Sequence, residues 1–209
     1  MPRRPRQEAP GALHHVVVQA ATGGRLVLDD LDRIQFLDEF AGVVRASEWE
    51  CIAYGVLDGH AHFVLCTPQP NLGEGMRRFQ GRYASLHNRR HGRRGHLFGG
   101  RYWSRRIDRP HYLRCAAVYA VLNVVAAGIC AHPSQFAWCS YRETAGVPPP
   151  GSFLAPDILL RTFDQDLARA RVVYRELVDE AVVRLSRRRR EVAWSQEVER
   201  VVAVARTTD

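Results

Sequence analysis

The stretch "WECIAYGVLDGHAHFVLCT", Trp49–Thr67, contains two apolar runs separated by Asp58 and Gly59. An Asp-Gly pair between two such runs is a strong signal for a β-hairpin. In the second run, His60 and His62 are one residue apart. Side chains at positions i and i+2 of a strand lie on the same face. The sequence therefore predicts a hairpin whose second strand carries two imidazoles side by side.

The segments on either side of this hairpin alternate between strand and helix patterns. "ALHHVVVQA" is rich in β-branched residues and predicts a strand, and apolar residues at helical spacing follow a cap at Asp29 or Asp30. After the hairpin come a helix from Asn71 to Gly92, a strand in "HLFGGRYWSRRID", and a helix that ends near Gly128. The order β-α-β-β-α-β-α predicts an α+β fold, with a ferredoxin-like antiparallel sheet and helices on one face.

A segment rich in proline and glycine, around Pro148–Gly151, indicates a boundary. Beyond it, "ILLRTFDQDLARARVVYRELVDEAVVRL" and "EVAWSQEVERVVAVAR" have helical patterns, with "SRRRR" between them. We therefore expect one domain over residues 1–147 and a linker with a basic C-terminal helical extension over residues 148–209.

The composition is basic, and arginine supplies nearly all of the positive charge. The 209 residues include 30 Lys and Arg against 22 Asp and Glu, and 46% are hydrophobic, which is enough for a core. Arginine pairs with phosphate through a planar fork, so a nucleic-acid partner is expected. The five cysteines are odd in number and show no CxxC spacing, which favours free thiols in a reducing compartment. Without an apolar run of about 20 residues, a cytoplasmic protein with no membrane partner is expected.

Arginines alternate with aromatic residues between positions 77 and 106. Bases stack on aromatic rings while arginines contact phosphates, so this pattern favours single-stranded DNA binding over a merely solvated helix face.

His87 and His91, one helical turn apart, could bind zinc, but the arginines around them disfavour a cation. We expect both at the surface or in contact with phosphates. The basic runs at residues 3–6 and 187–190 are either further DNA contacts or loose tails. The residues predicted to bind DNA are Arg77, Arg78, Arg82, Tyr83, Arg89, Arg90, Arg93, Arg94, Arg101, Tyr102 and Arg105.

A possible chemical site combines the two histidines with the last helix of the domain. Tyr119 and Asn123 are four residues apart on that helix and share a face. A tyrosine in an apolar helix is commonly a core residue, but a buried asparagine needs hydrogen-bond partners. Histidine is the commonest metal ligand. His60 and His62 are therefore either a metal-binding pair or two partly buried imidazoles bonded to the backbone.

These residues resemble the single-tyrosine HUH nucleases, which place His-hydrophobic-His on a strand and one tyrosine on a later helix. The flanking segments "PNLGEGMRRFQGRYASLHNRRHGRRGHLFGGRYWS", "YAVLNVVAAG" and "FAWCSYRETAG" resemble the REP-associated tyrosine transposases, over about residues 2–146. The resemblance implies that His60, His62 and Asn123 bind Mg²⁺ or Mn²⁺ and that Tyr119 is the nucleophile. It also implies a ferredoxin-like sheet with an extra strand, and a transposase that cleaves and rejoins hairpin-bearing single-stranded DNA of palindromic repeats through a 5′-phosphotyrosine.

The chain departs from the family pattern next to these residues. The family usually has Met-Pro-Asn before the first histidine, where this chain has "LDG", and Asn-Pro-x-Arg-Ala-Gly after the tyrosine, where it has "NVVAAG". One alternative is therefore a domesticated, catalytically weak or silent single-stranded-DNA-binding protein. Another is an RNA-binding ferredoxin-like domain, although such domains need exposed aromatic residues where this chain has histidines. The oligomeric state does not follow from the sequence.

Overall fold

A computed structural model describes residues 8–146 and 148–188. The elements are β1 (Ala12–Gln19), α1 (Asp30–Ala46), β2 (Glu50–Val56), β3 (His60–Thr67), α2 (Leu72–Arg90), β4 (Trp103–Ile107), α3 (Pro110–Ala126), a 3₁₀ helix (Pro133–Gln135), α4 (Tyr141–Ala145), α5 (Asp157–Leu160) and α6 (Leu167–Arg188). The strands form one antiparallel sheet in the order β2-β3-β1-β4, which is the ferredoxin-like arrangement predicted from the sequence. Within the described residues this sheet has four strands, without the extra strand that the resemblance implied.

The hairpin predicted around Asp58 and Gly59 is the joint between β2 and β3. The two strands pair up to Val56 and Ala61, and the Leu57 amide donates a 2.9 Å hydrogen bond to the His60 carbonyl. On its other edge β3 pairs with β1 along its whole length. β3 therefore has a partner strand on each edge, and most of its residues are buried.

Helices cover the two faces of this sheet. On one face α1 and α2 form an aromatic core with β3, in which the rings of Phe40 and Phe63 stack with centroids 3.8 Å apart. This is the helical layer that the sequence predicted. On the other face α3, α5 and α6 form a second core, which includes Val64 of β3. Alternation along β3 thus turns His60 and His62 towards α3.

The strand predicted in "HLFGGRYWSRRID" is shorter in the structure. Regular pairing covers only Trp103–Ile107, and Phe98 makes an isolated bridge with Ala20. Gly100 has a φ of +144°, a conformation that side-chain-bearing residues rarely adopt, so the backbone turns before β4 begins.

The C-terminal helical extension is present as α5 and α6, and it packs against α3 in the second core. The predicted continuous helix is interrupted between them, because Asp166 caps α6 by accepting hydrogen bonds from the amides of Ala168 and Arg169.

The division into domains at residue 147 stays a prediction. The helical segment predicted after residue 190 and the basic run at residues 3–6 lie outside the described residues, as do the side chains of residues 187–190. None of the described helices has the length and apolarity needed to cross a membrane.

A close approach between β2 and α3 fixes the depth of α3 on the sheet. A Cβ atom on Gly55 would lie 2.2 Å from the backbone oxygen of Ala120, the residue after Tyr119. We therefore expect Gly55→Ala to lower the free energy of unfolding by about 1–3 kcal/mol, as overpacking does. Urea denaturation measures this change.

Gly42 in α1 supplies the matched control for this substitution. A Cβ atom there would meet nothing within 4 Å. Gly42→Ala should leave the free energy of unfolding unchanged or raise it by about 0.4–1 kcal/mol, because alanine lowers the conformational entropy of the unfolded chain. Equal effects at the two positions would show that the contact with Ala120 does not limit the packing of α3.

Candidate active site

Three imidazoles meet on the sheet face that α3 covers. The rings of His60 and His62 have centroids 5.1 Å apart. His15 of the neighbouring strand β1 joins them, with its Nε2 atom 3.1 Å from Nδ1 of His62. His15 is not among the site residues predicted from the sequence. The pattern that could have revealed His15 is the alternation of side chains along β1. The fully buried Val16 and Val18 face the α1–α2 core, so His15 faces the other side of the sheet.

Tyr119 lies over these histidines. Its ring meets His62 edge-on, with centroids 5.1 Å apart, and the ring of His15 is 6.0 Å away. The tyrosine comes from α3 and the histidines from two strands, so the fold brings together residues that are distant in sequence. The structure thus clusters Tyr119 with His60 and His62, while the roles assigned to them remain predictions.

Asn123 lies one helical turn after Tyr119 and is buried, with 6% of its surface exposed. Its Nδ2 atom donates a 2.9 Å hydrogen bond to the backbone carbonyl of Tyr119. This bond uses one amide donor, and the amide oxygen can still act as an acceptor or a ligand. The structure places Asn123 beside Tyr119, and its role as a third metal ligand stays a prediction.

Burial keeps all three imidazoles uncharged near neutral pH. It lowers the pKa of His15 to about 4, with help from the positive charge of Arg105. Burial also lowers the pKa of His60, and it lowers that of His62 well below the ordinary value, with further contributions from His15 and His60. Neutral imidazole is the form that binds metals, so the residues fit a divalent cation. If His62 offers Nε2 to a cation, its Nδ1 carries the proton and donates a hydrogen bond to Nε2 of His15, which makes His15 a positioning residue.

The unusual "LDG" sequence before His60 has a structural role. Asp58 forms ion pairs with Arg33 of α1 and with Arg25, the latter at 3.7 Å. Asp58 also accepts backbone hydrogen bonds from Leu26 and Val27 through its carbonyl. These contacts hold the hairpin end that carries His60 against the start of α1, so this departure from the family pattern does not leave the loop loose.

Two aromatic residues predicted to bind DNA are buried. Tyr83 is 0% exposed, and its hydroxyl donates a 2.6 Å hydrogen bond to the carbonyl of Leu26. The ring of Tyr83 therefore has no face open to a base, which contradicts the prediction that it stacks on DNA. The reason is that α2 buries the residues on one side at helical spacing, and Tyr83 lies on that side. Tyr102 is 3% exposed. It lines a cleft between α2 and the loop before β4, and its role in DNA binding stays a prediction.

The predicted arginines do not form one surface around Tyr119. Most lie on α2 and the loop after it, on the sheet face opposite α3. Arg82 pairs with Glu39 at 2.7 Å, and Arg90 pairs with Asp29 at 2.7 Å. Arg77 and Arg101 line a cleft of about 600 Å³ between α2 and the loop before β4. The predicted arginines that are exposed are Arg77, Arg78, Arg82, Arg89, Arg90, Arg93, Arg94 and Arg101.

The edge strand β4 links the two faces. Its first residue, Trp103, is 49% exposed, and its ring meets that of His15 edge-on at 5.5 Å. Arg105 of the same strand pairs opposite His15 and packs over the ring of Tyr112 at 4.9 Å. An exposed aromatic ring and a predicted DNA-binding arginine therefore lie beside His15, whose own ring faces Tyr119. The segment that lines the cleft directly precedes them in the chain.

A second group of possible ligands lies away from Tyr119. The ligand atoms of Asp32, His87 and His91 all lie within 4.8 Å of one another, so these three residues could hold a metal ion. His87 is 0% exposed and His91 is partly buried, which contradicts the prediction that both are surface residues or phosphate contacts. Burial tends to raise the pKa of Asp32, but hydrogen bonds from His91, the Leu28 amide and Arg90 together hold it below the ordinary value.

Comparisons with known proteins support the fold. No family model and no curated protein matches the chain. The chain is structurally similar to a REP-associated tyrosine transposase bound to a REP hairpin, with a TM-score of 0.60 and 16% identity over 74% of this chain and 94% of that one. A protein from Deinococcus radiodurans R1 that is named as a transposase aligns with a TM-score of 0.39 and 16% identity, over 54% of this chain and 92% of that one. The first similarity shows a shared fold.

Proposed function

We propose that this chain is a metal-dependent transposase that cleaves and rejoins hairpin-bearing single-stranded DNA through a 5′-phosphotyrosine on Tyr119. The observation that carries the proposal is the packing of Tyr119 edge-on against His62, inside a group of neutral imidazoles. An ordinary core tyrosine needs no such neighbours. The structural neighbour that shares the fold is a tyrosine transposase bound to a REP hairpin, which supports this choice of substrate.

The reaction assigned to Tyr119 is a transesterification. Its Oη attacks a phosphorus atom of the DNA, the Oη–P bond forms, and the bond from phosphorus to the 3′ oxygen breaks. The phenolic proton is lost and the leaving oxygen gains one, so the overall step is balanced and reversible. Burial raises the pKa of the Tyr119 phenol, while a side-chain interaction with the Asn123 amide opposes that rise. The phenol of Tyr119 is therefore protonated near neutral pH.

His60, His62 and Asn123 are the residues proposed to hold Mg²⁺ or Mn²⁺, with His15 orienting His62. Such a cation supplies Lewis-acid chemistry, since it neutralises charge on a non-bridging phosphate oxygen. Imidazole nitrogens suit Mn²⁺ better than Mg²⁺, which prefers oxygen ligands. The protein's own contribution is to keep the imidazoles neutral and to place the tyrosine ring beside them.

The DNA is proposed to run around the edge strand β4. From Tyr119 it passes Trp103, whose exposed ring can stack on a base, and Arg105. It then reaches the cleft lined by Arg77 and Arg101 on the other side of the sheet edge. This path joins a reaction site on one face to the arginines on the other.

A labelled hairpin oligonucleotide incubated with the protein and Mg²⁺ or Mn²⁺ tests the proposal. Wild type should yield a protein–DNA adduct that survives a denaturing gel, together with a fragment that carries a free 3′-hydroxyl. The alternative of a silent DNA-binding protein, which the altered "NVVAAG" segment favours, predicts binding without an adduct. Absence of both binding and adduct on every hairpin would contradict both readings.

Neutralising the cleft should weaken binding in a salt-dependent way. We expect Arg77→Gln with Arg101→Gln to reduce the log-log salt slope of single-strand binding by up to about 1.4, since each lost phosphate contact removes roughly 0.7. Fluorescence anisotropy between low and moderate salt measures this slope. Arg45→Gln is the control, because Arg45 is an exposed arginine at the end of α1, away from the cleft. An unchanged slope in the double variant would remove the cleft from the proposed path.

A further inference from the structure

A second cluster of metal-ligating side chains joins the first turn of α1 to the end of α2. Asp32 is fully buried in α1, His87 is in the last turn of α2, and His91 follows directly after that helix. The Nε2 atom of His91 is 2.9 Å from Oδ1 of Asp32, and Nε2 of His87 is 3.7 Å from Oδ2. Two imidazoles and a carboxylate thus converge from two helices.

His87 is the observation that points to a ligand. The residue is 0% exposed, and neither ring nitrogen has a hydrogen-bond partner among the described residues. Buried polar groups in proteins are nearly always paired, so an imidazole with two unpaired nitrogens needs an explanation. The partner nearest to Nε2 is the carboxylate of Asp32, at a distance too long for a hydrogen bond. A cation between His87, His91 and Asp32 would satisfy this nitrogen.

Arg90 is the competitor for this place. Its guanidinium bonds to the carboxylate of Asp32 and lies 3.2 Å from Nε2 of His91. It also pairs with Asp29, the N-cap residue of α1, through Nη2 at 2.7 Å. A metal can bind only if Nη1 of Arg90 leaves Asp32. The Arg90 side chain can then remain in place through its ion pair with Asp29. The affinity for metal is therefore set partly by Arg90.

We propose that Asp32, His87 and His91 form a zinc site that is separate from the transposase site. Two imidazoles and one carboxylate are a ligand set that zinc accepts, whereas Mg²⁺ prefers oxygen ligands alone. The site lies in the α1–α2 layer, and the sheet separates it from Tyr119 and α3. In this position the ion would fasten the start of α1 to the end of α2. It would also anchor the loop between Gly92 and Arg101, which carries Arg93 and Arg94. Such a zinc site would be present whether or not Tyr119 cleaves DNA.

The test uses untagged full-length protein with His60→Ala and His62→Ala, so that the proposed catalytic site contributes no zinc binding. Competition with a chromophoric zinc chelator gives the stoichiometry and the affinity. We expect one zinc ion per chain, and zinc at a hundred times its dissociation constant should raise the melting temperature by roughly 5–10 °C. The same concentration of Mg²⁺ should not shift it.

Two substitutions in that background give opposite results if the proposal holds. His91→Gln should weaken zinc binding by more than the roughly 10- to 100-fold that loss of an outer hydrogen-bond partner costs. Arg90→Gln should strengthen zinc binding, because it releases the carboxylate of Asp32. His96→Gln is the control, since His96 is an exposed histidine of the same loop. No bound zinc in the parent, or equal affinity in the parent and His91→Gln, would overturn the proposal, and the parent measurement stands even if a variant fails to fold.

Discussion

Tyr119→Phe should abolish the covalent protein–DNA adduct while leaving hairpin binding unchanged. The substitution removes one oxygen and keeps the ring, so the edge-on packing against His62 is retained. Without the hydroxyl no phosphotyrosine can form, and the rate of cleavage should fall by roughly 10³-fold or more, as for loss of other nucleophiles. Denaturing gels measure the adduct, and anisotropy measures the affinity.

Tyr112→Phe is the matched control for the nucleophile. Tyr112 lies seven residues earlier on the same helix, and it packs under Arg105. Its substitution should leave the adduct intact. An adduct with Tyr119→Phe that disappears with Tyr112→Phe would move the nucleophile to Tyr112.

The combined change of His60→Ala and His62→Ala should eliminate metal-dependent cleavage to a similar extent. It removes both imidazoles from the face below Tyr119, so that Asn123 is the only proposed ligand left. Binding of the hairpin should persist, because the arginines of the cleft lie on the other face. The adduct assay with and without Mn²⁺, together with the melting temperature as a check on folding, measures the effect.

His111→Ala is the control for histidine loss, because His111 is exposed in the first turn of α3. It should keep full activity. Cleavage that survives in the double histidine variant at the wild-type dependence on Mn²⁺ would mean that the cation binds elsewhere, and the proposed role of β3 would fail.

Local patterns in the sequence were sufficient for the framework of the fold. The Asp-Gly hairpin and the strand period placed His60 and His62 on one face, and the element order led to the ferredoxin-like sheet. The strand period of β1 likewise turns His15 to the face opposite the buried Val16 and Val18. His15 was not predicted as a site residue because its contact with His62 arises only from the pairing of β1 with β3.

The errors on α2 have a common physical cause. Composition suggested a helix covered by arginines with aromatic residues between them, but helical periodicity separates the two kinds of residue. Met76, Phe79, Tyr83 and His87 follow one another at intervals of three or four, and all four are buried. The density of arginines therefore predicted only the exposed side of α2 correctly. The buried side is indicated by the apolar and aromatic residues that recur every three or four positions.

The cluster at Asp32 could not be predicted from local sequence. Asp32 and His87 are 55 residues apart, and nothing in the helix that contains Asp32 marks it as a partner. Its contact with His87 arises from the packing of α1 against α2. The position of α3 likewise depends on tertiary structure, because that helix has buried residues on most of its circumference.

The central sheet divides the molecule into two compartments with separate sets of side chains. The residues proposed to cut DNA lie on one side of it, and the aromatic core of α1 and α2 lies on the other. A host that recruited such a protein could lose strand cleavage through one or two substitutions beside α3, while the remaining side kept its fold and its arginines. An enzyme and a silent descendant would then share nearly the same backbone. The chemistry of a relative must accordingly be judged from the few side chains beneath the tyrosine.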